Sequence, residues 1–154
     1  MKLVDFIKPE LVFVFDSVES RDGLLSSVSD RLAETLGGID ATELNRLLVE
    51  REAQGDTATP EGLALPHAMS DRLQQTAVAV ALVRGGVDFR SQRARRVDLV
   101  FTLVGPTDKG WEHIRLLARV ARICHAPGAL KNLRAAADGG ELYQRLVEED
   151  ERHV

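Results

Sequence analysis

The chain contains four histidines, the one side-chain type that titrates near neutrality and whose unprotonated nitrogen serves as a nucleophile. They are not equivalent. His153 stands in the terminal stretch EDERHV and reads as frayed. His125 follows Cys124 at the end of a helical period, where the helix dipole favours a cation, and reads as a capping residue. His67 ends the run Gly62-Leu63-Ala64-Leu65-Pro66-His67, a short apolar strand closed by proline. Proline fixes its own φ and drives Leu65 into an extended conformation, so the chain is expected to leave the sheet there with His67 held at the exit. A turn histidine without a task and a site residue both satisfy that geometry, and strand ends often carry sites. Counting from His113, Leu117, Val120, Ala121 and Cys124 follow at helical spacing, which puts His113 on an apolar face. Spacing alone favours a core histidine bonded to a carbonyl over a second imidazole reaching into a site.

Other chemistries find little support. The single cysteine, Cys124, closes no intrachain disulfide and falls on an apolar helical stripe, as core residues do. There is no P-loop for direct use of ATP and no carboxylate cluster suited to magnesium, so neither cofactor nor metal is expected. Arg90, Arg93, Arg95 and Arg96 read as a solvated loop, with a docking patch for an acidic partner as the alternative. Nucleic acid is not an expected partner. Only Phe89 adds an aromatic to that segment, and the whole chain carries a net charge of −4.

Positioning such residues requires a core, and 154 residues with 44% hydrophobic and 29% charged side chains suffice for one globular domain, expected over residues 1–154. The opening MKLVDFIKPE has no apolar stretch of signal-peptide length and no segment is long enough to span a bilayer, which predicts a cytoplasmic protein. Strand-like and helix-like patterns alternate. Leu11–Phe15, Leu63–Leu65, Thr76–Val83 and Val97–Val104 read as strands, the third apolar almost without a break, as a strand covered on both faces must be. Helical spacing runs from about Ser20 to Leu36, where Gly37-Gly38 stops it. A second helix starts at Asp40 with Glu43 in a capping-box pattern and buries Leu44, Leu47 and Leu48. Further helices are expected over Gly110–Cys124, from Pro127, and from near Gly140 into a fading acidic tail, Glu148–Glu151. The predicted fold class is α/β, a small mixed sheet flanked by helices.

Taken together, Arg51-Glu52, Gly55-Asp56-Thr57, the Gly62–His67 element, the strand VDLVFTLVGP and the helix Glu112-His113-Ile-Arg-Leu-Leu-Ala-Arg-Val resemble the fructose/mannitol-type IIA proteins of the bacterial phosphotransferase system, which include the nitrogen-related IIA regulators. The resemblance extends from about Leu11 to Leu146 and implies that family's fold. It implies that His67 accepts a phosphoryl group from an HPr-like phosphohistidine carrier, that His113 sits beside the phosphorylated ring, that Arg51 contacts the phosphoryl oxygens, and that Thr57 is the family's small hydroxyl residue at the phosphate. It also implies a partner downstream: a IIB protein during sugar uptake, or a regulated target such as a transporter, kinase or transcription factor, with possible docking to a membrane permease complex. The family's usual glycine and basic residue after the histidine are replaced here by Ala68-Met69, a departure that bears on the partner surface. Phosphoryl transfer asks for positioning and charge stabilisation, which an imidazole, a guanidinium and a hydroxyl can supply without a metal.

Overall fold

The computed structural model describes residues 1–153; Val154, the last residue of the expected domain, lies outside the described residues. Its strands are β1 (Val12–Phe15), β2 (Leu63–Ala64), β3 (His67–Met69), β4 (Ala77–Val87) and β5 (Val97–Gly105), and its helices are α1 (Arg21–Leu36), α2 (Ala41–Gln54), α3 (Gly110–His125), α4 (Ala129–Arg134) and α5 (Gly139–Glu151). They form one mixed sheet in the order β1-β4-β5-β2, with β3 also on β5. β1 runs parallel to β4, β4 antiparallel to β5, and both β2 and β3 parallel to β5.

Both faces of the sheet are covered. Leu24, Leu25, Val28 and Leu32 of α1 and Leu44 and Leu48 of α2 pack on Ala79, Ala81, Val100 and Val104. On the other face Leu116, Val120 and Ile123 of α3, with Leu133, Leu142 and Leu146, pack on Val78, Val80, Phe101 and Leu103. β4 thus turns Ala77, Ala79 and Ala81 to one helical layer and Val78, Val80 and Leu82 to the other, and no polar alternation marks this stretch.

Several helix boundaries follow from their caps. Ser20 Oγ accepts from the Gly23 amide at 3.0 Å and Asp40 Oδ1 from the Glu43 amide at 2.8 Å. The reciprocal half of the expected capping box does not form, because Arg46 takes both carboxylate oxygens of Glu43. Gly37 ends α1 at φ 70°, in the left-handed region that glycine enters at little cost. Leu47 is half-buried, so the stripe of α2 is narrower than its leucines suggest.

Three expectations are corrected. The chain does not leave the sheet at Pro66. β2 and β3 hold one register against β5, so they are a single edge strand interrupted at Leu65-Pro66, and the Pro66 carbonyl still accepts from Leu103. Proline removes one donor, a loss an edge strand tolerates. α4 begins at Ala129, because Gly128 adopts φ 81° and leaves Pro127 in the preceding turn. The acidic tail does not fade and His153 is not frayed. Asp150 is 2% exposed, accepts from the Leu3 and Val4 amides, and pairs with Arg119, itself 8% exposed, at 2.7 Å. Arg119 also donates to the carbonyls of Asp150 and His153, which fastens the end of α5 to α3 and to the N-terminal turn.

Removing Asp150 leaves the buried Arg119 charge without its carboxylate and the Leu3 and Val4 amides without their acceptor. Asp150→Ala is expected to lose about 3–5 kcal/mol of stability, read from urea unfolding midpoints. A loss below about 1 kcal/mol would show that the pair is solvated and that the termini are held by apolar packing alone.

Candidate functional site

The site assembles at the C-terminal end of β5, where the interrupted edge strand, the end of α2 and the first turns of α3 meet. The Leu65 carbonyl lies 2.9 Å from Nδ1 of His67. A carbonyl only accepts, so Nδ1 carries the ring proton and Nε2 keeps its lone pair. On the opposite side of the ring, Nε of Arg51 donates to that same Nε2 at 3.2 Å, while its Nη1 donates to the Gly55 carbonyl at 2.7 Å. The two bonds agree on one tautomer, with the basic nitrogen facing a guanidinium.

His113 projects from α3 so that its ring meets that of His67 edge-on, with centroids 5.1 Å apart. It lies on the stripe of Leu116, Val120 and Ile123, and neither of its ring nitrogens has a partner among the described residues. Burial, reinforced by repulsion from His67 whenever that ring is protonated, pushes its pKa down to about 4, so it is neutral at pH 7. A neutral imidazole has one N–H to give, and an anion beside it would favour a second proton.

Thr57 is in the loop beneath. Its hydroxyl donates to Oε1 of Glu52 at 2.6 Å and accepts from the Leu65 amide at 3.0 Å, and its own amide donates to Oε2 of Glu52. The hydroxyl proton is therefore committed to a carboxylate that is 2% exposed. Glu52 has no role in the expectations from sequence, although a signal existed: Leu44, Leu48 and Glu52 fall at i, i+4 and i+8 on one buried stripe, and a buried carboxylate must find donors. Through Thr57 it holds Leu65, whose carbonyl holds His67.

Beyond Arg51, a surface hollow is lined by Gly55, Asp56, Arg90, Gln92 and Arg93. Burial raises the Asp56 carboxyl, but hydrogen bonds from Arg93, Ser91 and the Ala58 amide outweigh it and hold the group below its ordinary value. The four arginines of this segment are exposed, as expected of a solvated loop, yet Arg93 is tied to Asp56 and Arg96 to the carbonyls of Gly85 and Gly86. Of the positions that depart from the family pattern, Ala68 is buried within β3 and Met69 is 40% exposed beside the site. Cys124 is buried and its thiol is pushed up to about 12 by desolvation, which leaves it unreactive. His125 ends α3 with Nε2 3.3 Å from Glu61. His67, His113 and Arg51 converge, and Thr57 joins them through Glu52 and Leu65.

The family described as phosphoenolpyruvate-dependent sugar phosphotransferase system, EIIA 2, matches residues 5–149, and the chain belongs to it. A nitrogen regulatory protein of Bradyrhizobium diazoefficiens is 32% identical over 147 residues, covering 96% of this chain and 95% of the relative. Among solved structures, the nitrogen regulatory protein IIA-Ntr of Neisseria meningitidis shares the fold with a TM-score of 0.83 at 22% identity, over 92% of this chain and 97% of that one. The mannitol IIA of Escherichia coli, solved in complex with phosphorylated mannitol IIB, shares it with a TM-score of 0.78 at 18% identity, over 93% and 99%. No helix among the described residues is long and apolar enough to cross a membrane.

The burial of His113 has a measurable consequence. Its pKa in the folded protein lies below the ordinary 6.5, so the unfolded chain binds the proton first. Its contribution is fully present above about pH 6.5 and is lost as pH falls toward 4, on the order of 3 kcal/mol. Replacing an unpartnered buried polar group by an apolar one of similar size is close to neutral. His113→Leu should therefore unfold near the wild-type urea midpoint at pH 7 and lose less stability between pH 6.5 and 4. Parallel pH profiles for the two proteins would show that His113 titrates normally.

Proposed function

We propose that His67 is a phosphoacceptor that takes a phosphoryl group from the phosphohistidine of an HPr-like carrier. The observation that carries this reading is the pair of bonds on one ring, Leu65 to Nδ1 and Arg51 to Nε2, which leaves the basic nitrogen beside a guanidinium. In the step, the Nε2 lone pair attacks phosphorus, the donor's P–N bond breaks, and its electron pair returns to the donor ring. The proton stays on Nδ1, and the Leu65 carbonyl supports the positive charge the ring acquires. Arg51 gives up Nε2 and turns its fork to the phosphoryl oxygens, and His113 donates an N–H to them. Thr57 acts one step back, holding Leu65, rather than at the phosphate where the resemblance put it. Phosphoenolpyruvate chemistry of this kind runs in the cytoplasm, where we place the protein.

Onward transfer to a IIB cysteine in sugar uptake is supported by the fold shared with a IIA solved on its phosphorylated IIB. A second reading, in which the phosphorylation state of His67 controls binding to a transporter, kinase or transcription factor without onward transfer, is supported by the 32% identity to a nitrogen regulatory protein. Incubation with phosphoenolpyruvate, enzyme I and an HPr-like carrier, followed by cell extract, separates them: label passing to a IIB selects transport, and a phosphoprotein stable in extract selects regulation. In the first stage wild type should gain one acid-labile, base-stable phosphoryl group and His67→Ala none. Normal labelling of His67→Ala overturns the assignment.

Arg51 is tested separately. A helix-end cation is worth about 0.3–1 kcal/mol and lysine supplies it equally well, whereas a planar fork that spans His67, Gly55 and a phosphoryl group is particular to arginine. Arg51→Lys should melt near the wild-type temperature and accept phosphate roughly tenfold or more slowly, about 1.4 kcal/mol of transition-state stabilisation per tenfold. Equal rates would reduce Arg51 to a helix-end charge.

A further inference from the structure

At the end of the sheet away from His67, Arg84, Arg95, Arg96 and Arg134 line a pocket of about 310 Å³ together with Glu61 and Asp98. The two ends are well separated: β5 pairs with Leu63 at Leu99 and with His67 at Leu103, about 13 Å along the strand at ~3.3 Å per residue. Three of the four guanidiniums are held from behind. Arg84 donates to the carbonyls of Ala136 and Ala137, Arg96 to those of Gly85 and Gly86, and Arg134 to the Glu61 carbonyl and to Asp98. Arg95 is exposed and makes no hydrogen bond to the described residues.

The backbone is shaped around these side chains. β4 and β5 lose register between Leu82 and Val87, and the irregularity carries Gly85 and Gly86 into the pocket wall. Gly86 has φ 69°, and a Cβ there would lie 3.1 Å from Nε of Arg96. Gly62 has φ 89°, and a Cβ there would lie 3.1 Å from Nη2 of Arg134. Two glycines in the left-handed region thus leave room for two guanidiniums beside the chain, and Nη1 of each makes no hydrogen bond to the described residues. Bulges of this kind re-aim side chains beside sites.

The charge is unbalanced. Asp98 is bonded to Arg134, Glu61 faces His125, and the exposed Asp16 lies 3.5 Å from Nε of Arg84 outside the pocket, so four guanidiniums share one small space with two carboxylates in its wall and a third beyond it. Like charges are gathered and pre-oriented here at an electrostatic cost that nothing in the phosphotransfer site uses. Fixed guanidinium forks match tetrahedral oxyanions in geometry and charge, and a pocket of this volume admits a phosphate or a diphosphate with a small attached group.

We propose that this pocket is an anion-binding site for a small phosphate-bearing metabolite, distinct from the His67 site. Arg95, unanchored, closes over the bound group while Arg84, Arg96 and Arg134 receive it.

Inorganic pyrophosphate is the probe. Titrated into ¹⁵N-labelled full chain at about 0.15 M salt, where loosely held surface charge is screened, it should shift the Arg Nε–H signals of the pocket and the amides of Glu61, Gly62, Gly85 and Gly86 saturably. Arg95→Glu, which breaks no internal bond, should bind at least tenfold more weakly while unfolding at the wild-type temperature. His67→Ala should bind as wild type does, which separates this site from the phosphoacceptor. The proposal is overturned if no saturable shift occurs, if Arg95→Glu binds equally well, or if the shifts gather at Arg51 and the loop around it.

Discussion

The 2.9 Å bond from Nδ1 of His67 to the Leu65 carbonyl fixes where the ring's single proton sits, and the arrangement of the site follows from it. With Nδ1 protonated, Nε2 must be the basic nitrogen, and only a donor can be its neighbour; Arg51 fills that place. The carbonyl is aimed by its own peptide, which is fixed on one side by Pro66 and on the other by the Leu65 amide bonded to Thr57. Thr57 is set by Glu52, and Glu52 by the buried stripe of α2. A chain of local constraints thus runs from helix packing to the tautomer of one imidazole. Every link is a group whose partner is dictated by the donor and acceptor inventory of its neighbours.

His113 and Glu52 answer burial in opposite ways. Glu52 has its oxygens occupied by Thr57, so its position beside the core is a satisfied one. His113 is as deeply placed but unpartnered, and it meets the burden by staying neutral. A satisfied group serves to hold geometry, whereas a neutral unpartnered imidazole keeps its one N–H uncommitted. The first belongs to the scaffold of His67, and the second lies against its ring.

Much of this was legible in the sequence. The long apolar run of β4, the glycine stop of α1, the Asp40 cap of α2 and the helix carrying His113 all declared themselves through period or punctuation, because each depends on neighbours a few positions away. The continuation of the edge strand through His67–Met69 did not, since Pro66 reads locally as an exit and only pairing with β5, more than thirty residues on, carries the strand past it. The buried end of α5 was hidden for the same reason: an acidic run is solvated by default, and the partner that draws Asp150 inward is Arg119, on a different helix. In the site, His67, His113 and Arg51 can be named from pattern, but the direction of the Thr57 hydroxyl cannot, because a hydroxyl turns to whichever acceptor is strongest and that acceptor, Glu52, has no role in any motif.

Placing His67 on an edge strand reconciles two demands. Proline is needed to lock the backbone that orients Leu65, and proline is tolerated in a sheet only where a missing donor costs no ladder bond. An edge, however, exposes unpaired backbone that invites association. Here the loop from Gly55 to Gly62 folds back along β2, bridging Ala58 to Ala64 and placing Thr59 on Leu63, so that the edge is covered up to Leu65 and opens at His67. The same loop carries Gly55, which anchors the guanidinium of Arg51, and Thr57, which anchors Leu65. Covering the edge and building the His67 site are therefore one structural task, and the half-buried Arg51 and exposed Met69 mark where that cover ends.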